Sequence, residues 1–134
     1  MADNIESSTQ QAVLSDFDSH SHAMELPIGA VVQELIDLLG LTIVAVIGGV
    51  RETRAVQQWT NGRKPQRQNV LRFALQLATM IASKSGGEIA RAWFEGSNPH
   101  LDDASPTLLL RNSPLSVVQG PLMAAARAFA SRHE

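Results

Sequence analysis

Between Arg51 and Arg72 the chain sets six bases (Arg51, Arg54, Arg63, Lys64, Arg67, Arg72) against one acid, Glu52. Two carboxamides, Gln57 and Gln58, stand among them. Guanidinium and carboxamide groups can read base edges: Arg pairs with O6 and N7 of guanine, and Gln pairs with N6 and N7 of adenine. Ammonium and guanidinium groups also neutralise phosphates. The whole chain carries a formal charge of only −2, so this basic segment is hidden in the average. Residues 1–40 hold seven acids and no base, and residues 73–134 balance at five of each. A local surplus of cations on a short segment is the electrostatic footprint of a polyanion-binding surface.

A base-reading helix needs long polar side chains on one face and an apolar face that docks on a partner helix. A helix over Glu52–Thr60 meets both needs. Ala55, Val56 and Trp59 fall on one side, and Thr53, Arg54, Gln57 and Gln58 are left to face outward. Asn61-Gly62 ends the helix. Arg51 precedes it, and Asn61, Arg63, Lys64 and Arg67 follow, placed for phosphate contact. The candidate DNA-binding set is therefore Arg51, Thr53, Arg54, Gln57, Gln58, Asn61, Arg63, Lys64 and Arg67.

The flanking elements follow from periodicity and punctuation. Pro27 closes a Ser-, Asp- and His-rich segment, residues 1–26, that reads as a flexible acidic arm. A helix fits Val31–Leu39 and is ended by Gly40. A short helix follows, capped by Thr42 and running to Ile47, and Gly48-Gly49 makes the turn. A longer helix fits Gln66–Ser83, with Val70, Phe73, Ala74, Leu77, Met80 and Ile81 on one stripe. Gly86-Gly87 marks a break. After it come a helix over Glu88–Phe94, an irregular stretch, a helix begun by Ser105-Pro106 and running through Leu110, and an Ala-rich helix opened by Pro121 and reaching Arg132. The expected fold is all-α. Its divisions are the arm (1–26), a helix-turn-helix domain (27–85) and a smaller helical C-terminal subdomain (86–134).

Other chemistries find little support. IVAVIGGV (Ile43–Val50) is β-branched enough to be a buried strand feeding a phosphate loop. The dinucleotide fingerprint, however, needs spaced glycines and a downstream acid, and here the glycines are adjacent and the following region is basic. The chain has no Cys and four His (His20, His22, His100, His133), and its Ser residues pair with no base at a recognisable spacing. No catalytic residue, metal site or cofactor is expected. The longest uncharged apolar run, Leu38–Val50, has 13 residues, short of the roughly 20 that span a membrane. A cytoplasmic protein is expected.

Two stretches resemble a known family. LGLTIVAVIGGVRETRAVQQWTNGRKP (residues 39–65) resembles the Xre-type helix-turn-helix, with Ala45 or Val46, Gly49, Val56, Trp59, Gly62 and Pro65 at the matching positions. Its turn glycine falls one residue early relative to Trp59. AWFEGSNPHLDDASPTLLL (residues 92–110) and the closing AAARAFASR (Ala124–Arg132) resemble the C-terminal toxin-binding domain of the Xre/MbcA/ParS-type antitoxins. Asp102-Asp103 stands where that family often has a glycine turn.

The resemblance implies an antitoxin of a type II toxin-antitoxin system. Such a protein inhibits a cognate RES-domain toxin that degrades NAD, and it represses its own operon by binding operator DNA. On that resemblance the toxin-binding candidates are Trp93, Phe94, Asn98 and Pro99; the closing helix, small and apolar enough to lie close against another surface, adds Arg127, Arg132 and His133, the alternative being that it only caps the chain's own core. The tail after Phe129 is then expected to reach the toxin's active site. The alternative is a free-standing, phage-type repressor with no toxin partner. Either would pair as a homodimer on half-sites one helical turn apart. The apolar stripe of Gln66–Ser83 is the candidate interface, or else intramolecular core.

Overall fold

A computed structural model describes residues 17–132 of the protein. They form an all-α fold. Helix α1 covers residues 17–25, α2 Ile28–Leu39, α3 Leu41–Gly48, α4 Thr53–Thr60, α5 Gln68–Ser85 and α6 Gly87–Glu95. A 3-10 turn at Pro99–Leu101 then leads to α7 (Pro106–Asn112) and α8 (Leu115–Arg132).

The spine is α5. Nine of its 18 residues are buried (Val70, Leu71, Phe73, Ala74, Leu75, Leu77, Ala78, Met80 and Ile81). A helix buried on so much of its circumference must be surrounded, and α2, α3, α6 and α8 all pack against it. Of the two roles expected for this stripe, dimer interface or intramolecular core, it takes the second. One core cluster runs from Ala23 to Ala126, so the helices before and after Gly86 share it.

Four points of the sequence reading are decided by the structure, each for a physical reason. First, part of the expected arm is ordered structure. Residues 17–25 are helical, with Ser19 and Ala23 buried. Arg72 Nη1 donates to the carbonyls of Ala23 (3.0 Å), Met24 (3.3 Å) and Leu26 (2.7 Å). A cation at the open carbonyls of a helix C-terminus stabilises it. His22 Nε2 meets Glu34 Oε2 of α2 at 2.6 Å. The rest of the expected arm, residues 1–16, lies outside the described residues.

Second, IVAVIGGV lies in a helix and its closing turn, as the favoured reading has it, and not in the alternative strand. Ile43, Val44, Ala45 and Ile47 are all buried, and packing of this kind overrides weak β-branched helix propensity. Third, Thr42 does not cap α3. The helix starts at Leu41 with Gly40 as its N-cap, and no side chain caps it.

Fourth, the last helix begins at Leu115, so Pro121 sits inside it. Proline removes the donor for the carbonyl four residues earlier, that of Val117. Val117 is 64% exposed, so water can satisfy that oxygen. The buried stripe Val118, Leu122, Ala125 and Ala126 continues on both sides of the proline and holds the helix together.

Candidate nucleic-acid interface

Helices α3 and α4 are joined by the turn at residues 49–52 and pack against each other. The inner face of α4 buries Val56 and Trp59, with Ala55 half-buried beside them. Trp59 lies directly over Gly48. A Cβ at position 48 would stand 2.6 Å from Cη2 and 2.8 Å from Cζ3 of the indole, so only a residue without a side chain lets α3 and α4 approach this closely. Gly49 takes φ +80°, a left-handed conformation that costs L residues about 1–2 kcal/mol. The turn then closes backwards: Gly49 N–H bonds the Val46 carbonyl at 3.1 Å, and Val50 N–H bonds that of Ala45 at 3.0 Å.

Two arginines from outside the motif lock the end of α3. Arg67 Nη1 donates to the Ile47 carbonyl (2.9 Å) and Nη2 to the Leu110 carbonyl on α7 (2.7 Å). Arg111 Nη1, on α7, donates to the carbonyls of Val46 (3.0 Å) and Val50 (3.2 Å). Both guanidiniums satisfy helix-end carbonyls and add cations at the negative end of the α3 dipole. Arg67 was a phosphate candidate. Its half-buried guanidinium instead bonds two backbone carbonyls, so it acts as a structural tie. Arg111 was not anticipated, because nothing in a sequence separation of 61–65 residues signals such a contact.

The outer face of α4 is polar and open. Arg51, Thr53, Arg54, Gln57, Asn61, Arg63 and Lys64 are exposed, and Gln58 is half-buried. With Arg67 and Arg72 engaged inside, the open face presents four bases (Arg51, Arg54, Arg63, Lys64) against Glu52. The C-terminal end of α4 is fixed by its own side chains. Thr60 Oγ1 and Asn61 Nδ2 both donate to the Gln57 carbonyl, at 2.6 and 3.2 Å. Asn61 therefore keeps its Oδ1 as an acceptor and one Nδ2 N–H as a donor for a ligand. Arg63 Nη1 donates to Gln58 Oε1, which leaves both side chains facing outward with N–H donors.

The C-terminal candidates divide. Phe94 is fully buried and stacks edge-on to Trp93, with centroids 5.2 Å apart at 79°. Its carbonyl accepts from Thr107 Oγ1 at 2.7 Å, so Phe94 belongs to the core. Asn98 is buried and accepts from His100 N–H at 2.9 Å, shaping the 3-10 turn. Arg127 is exposed on the outer side of α8. Trp93, Asn98, Pro99 and Arg132 converge on one cleft of about 340 Å³ between α6, the 3-10 turn and α8. His133 lies outside the described residues. Trp93 Nε1 is buried and has no hydrogen-bond partner among the described residues, a state that costs about 1–3 kcal/mol for an amide-like donor.

Among the described residues no group of three or more His, Asp or Glu could hold a metal ion, and no helix is long and apolar enough to cross a membrane. Comparison with family models, with curated proteins and with solved structures finds no match to this chain.

Proposed function

We propose that this chain is a sequence-specific DNA-binding regulator that lays α4 in the major groove of its operator. The observation that carries the proposal is the division of α4. Val56 and Trp59 are anchored against a glycine-closed turn, while Arg54 and Gln57 stand exposed on the opposite side between exposed Arg51 at one end and Arg63 and Lys64 at the other. A rigid inner face is what a reading helix needs, because base contacts demand fixed register. In this reading Arg54 and Gln57 touch base edges, and Arg51, Arg63 and Lys64 hold phosphates. Pairing on half-sites would use a surface other than the buried stripe of α5.

In its narrower form the proposal makes the chain a cytoplasmic antitoxin that represses its own operon and blocks a RES-domain toxin. What favours a partner-binding C-terminal part is the convergence of Trp93, Asn98, Pro99 and Arg132 on one cleft. A free-standing repressor would share the DNA interface and lack the toxin.

Fluorescence anisotropy with the chain's own upstream DNA tests the first part. Arg54→Ala and Gln57→Ala should each cost about 1–3 kcal/mol at the preferred site and relax specificity. Arg63→Ala with Lys64→Ala should weaken binding to every sequence and reduce the salt slope by about 2. Tight, selective binding by a variant lacking Arg54, Gln57 and Arg63 together would refute it. Co-purification with a RES-domain protein tests the narrower form, and retention of DNA binding without any such complex would favour the free-standing repressor.

A further inference from the structure

We infer that the cleft between α6 and α8 is a receptor for an apolar group carrying a carboxylate. The inference needs neither an operator nor a toxin, so it stands or falls apart from the DNA-binding proposal.

Three observations carry it. The floor is apolar and partly aromatic, made by Ala92, Trp93, Ala125 and Phe129. Its polar rim is basic in type: Arg132 and His100 line the cleft, and among the described residues no Asp or Glu does. Trp93, only 6% exposed, turns part of its ring to the cleft, and its buried indole N–H has no acceptor among the described residues.

A guanidinium fork matches a carboxylate in two parallel hydrogen bonds. A ring or short aliphatic chain displaces water from the floor, and that burial is favourable in proportion to its apolar area. A carboxylate held at Arg132 therefore places its apolar body on Trp93 and Phe129. The volume, about 340 Å³, lies at the small end of ligand sites, which run from roughly 300 to 1,000 Å³. It suits one aromatic acid, or one residue at the end of a peptide, rather than a large cofactor. The two sources share the same chemistry, and the experiment separates them.

The full chain has two tryptophans, and each gives an indole N–H signal in a proton–nitrogen correlation spectrum. Trp93→Phe assigns them. The probes are 3-phenylpropionate, its neutral amide, and an octapeptide ending in Phe with a free carboxylate. Titration with 3-phenylpropionate should move the Trp93 signal saturably and leave that of Trp59 in place. The amide should bind about tenfold more weakly, the factor that one charge-assisted hydrogen bond supplies. Arg132→Gln, in the exposed last turn of α8, should make acid and amide equal, with the remaining amide fingerprint unchanged to show an intact fold. If the peptide binds more tightly than the free acid, the occupant is the end of a partner chain. Equal affinity makes it a free acid. Either result upholds the site. No saturable movement of the Trp93 signal, equal binding of acid and amide by the unaltered protein, or an unchanged affinity in Arg132→Gln would overturn it.

Discussion

Replacing Gly48 with Ala puts one methyl group under the ring of Trp59. Gly48 lies in the last turn of α3 and outside the positive-φ region. On propensity alone the change should therefore stabilise the helix by about 0.5–1 kcal/mol. The new Cβ would stand 2.6 Å from Cη2, where carbon atoms prefer about 3.5–4.0 Å. The indole must therefore retreat by about 1 Å, and Trp59 is 4% exposed, so its neighbours must move with it. Overpacking of this kind costs about 1–3 kcal/mol. The steric term exceeds the propensity term, and the net loss is about 0.5–2 kcal/mol. For a chain of this size that lowers Tm by roughly 2–10 °C. Urea unfolding followed by tryptophan emission and by circular dichroism measures it. Because α4 is displaced, selective DNA binding should fall further than binding to mixed sequence. If Gly48→Ala proves more stable than the natural protein, with the Trp59 emission unchanged, the close packing of α3 on α4 is wrong.

The remaining predictions test the supports of that arrangement. Gly120 lies in α8 directly before Pro121, whose ring disfavours the helical conformation of a preceding residue that carries a Cβ, so Gly120→Ala should gain less than the roughly 0.5–1 kcal/mol of an ordinary helical Gly→Ala change, although nothing beyond its chain neighbours lies within 4 Å of the added methyl; the same urea series measures it. Arg111→Gln withdraws a guanidinium from two carbonyls and should cost about 1.5–3 kcal/mol, with loss of selective DNA binding as a second readout; an unchanged unfolding midpoint would show that the tie carries no weight. Arg72→Gln should release α1, seen as faster amide exchange over residues 17–25 while the α5 core stays protected. Uniform exchange across both regions would refute that division.

Much of the helical layout was legible because local signals and tertiary packing agree. The Val56 and Trp59 face of α4, its Asn61-Gly62 stop, and Ser105 accepting from Leu108 N–H at 3.1 Å all follow from period and capping chemistry. The misses arise where distant contacts overrule local ones. Helix α1 buries only Ser19 and Ala23 among the described residues, too little to leave an apolar stripe, and it is held by Arg72 from 46–49 residues away. Pro121 reads as a helix start until the stripe on both sides of it is seen to face α5. Arg67 has the charge and position of a phosphate ligand, and only the fold shows which oxygens it meets. In the C-terminal half, a family resemblance pointed to Trp93 and the basic end of the last helix to Arg132, but their meeting across one cleft depends on how α6 and α8 are placed, which spacing does not encode.

The pair of guanidiniums on α3 has a consequence for modularity. Glycines at 86 and 87 invite a cut there, leaving a reading unit and a partner-binding unit. Yet the carbonyls that close the turn before α4 are held from Arg111, on the far side of that cut, and Arg67 reaches across to Leu110. A fragment ending at residue 85 would keep every exposed side chain of α4 and lose α7, the brace behind the turn. It should bind DNA loosely and without selectivity, and the two halves should melt in one transition rather than two. Swapping C-terminal halves between related regulators would then transplant part of the DNA preference as well. Two functions that look separable along the chain would be inherited together.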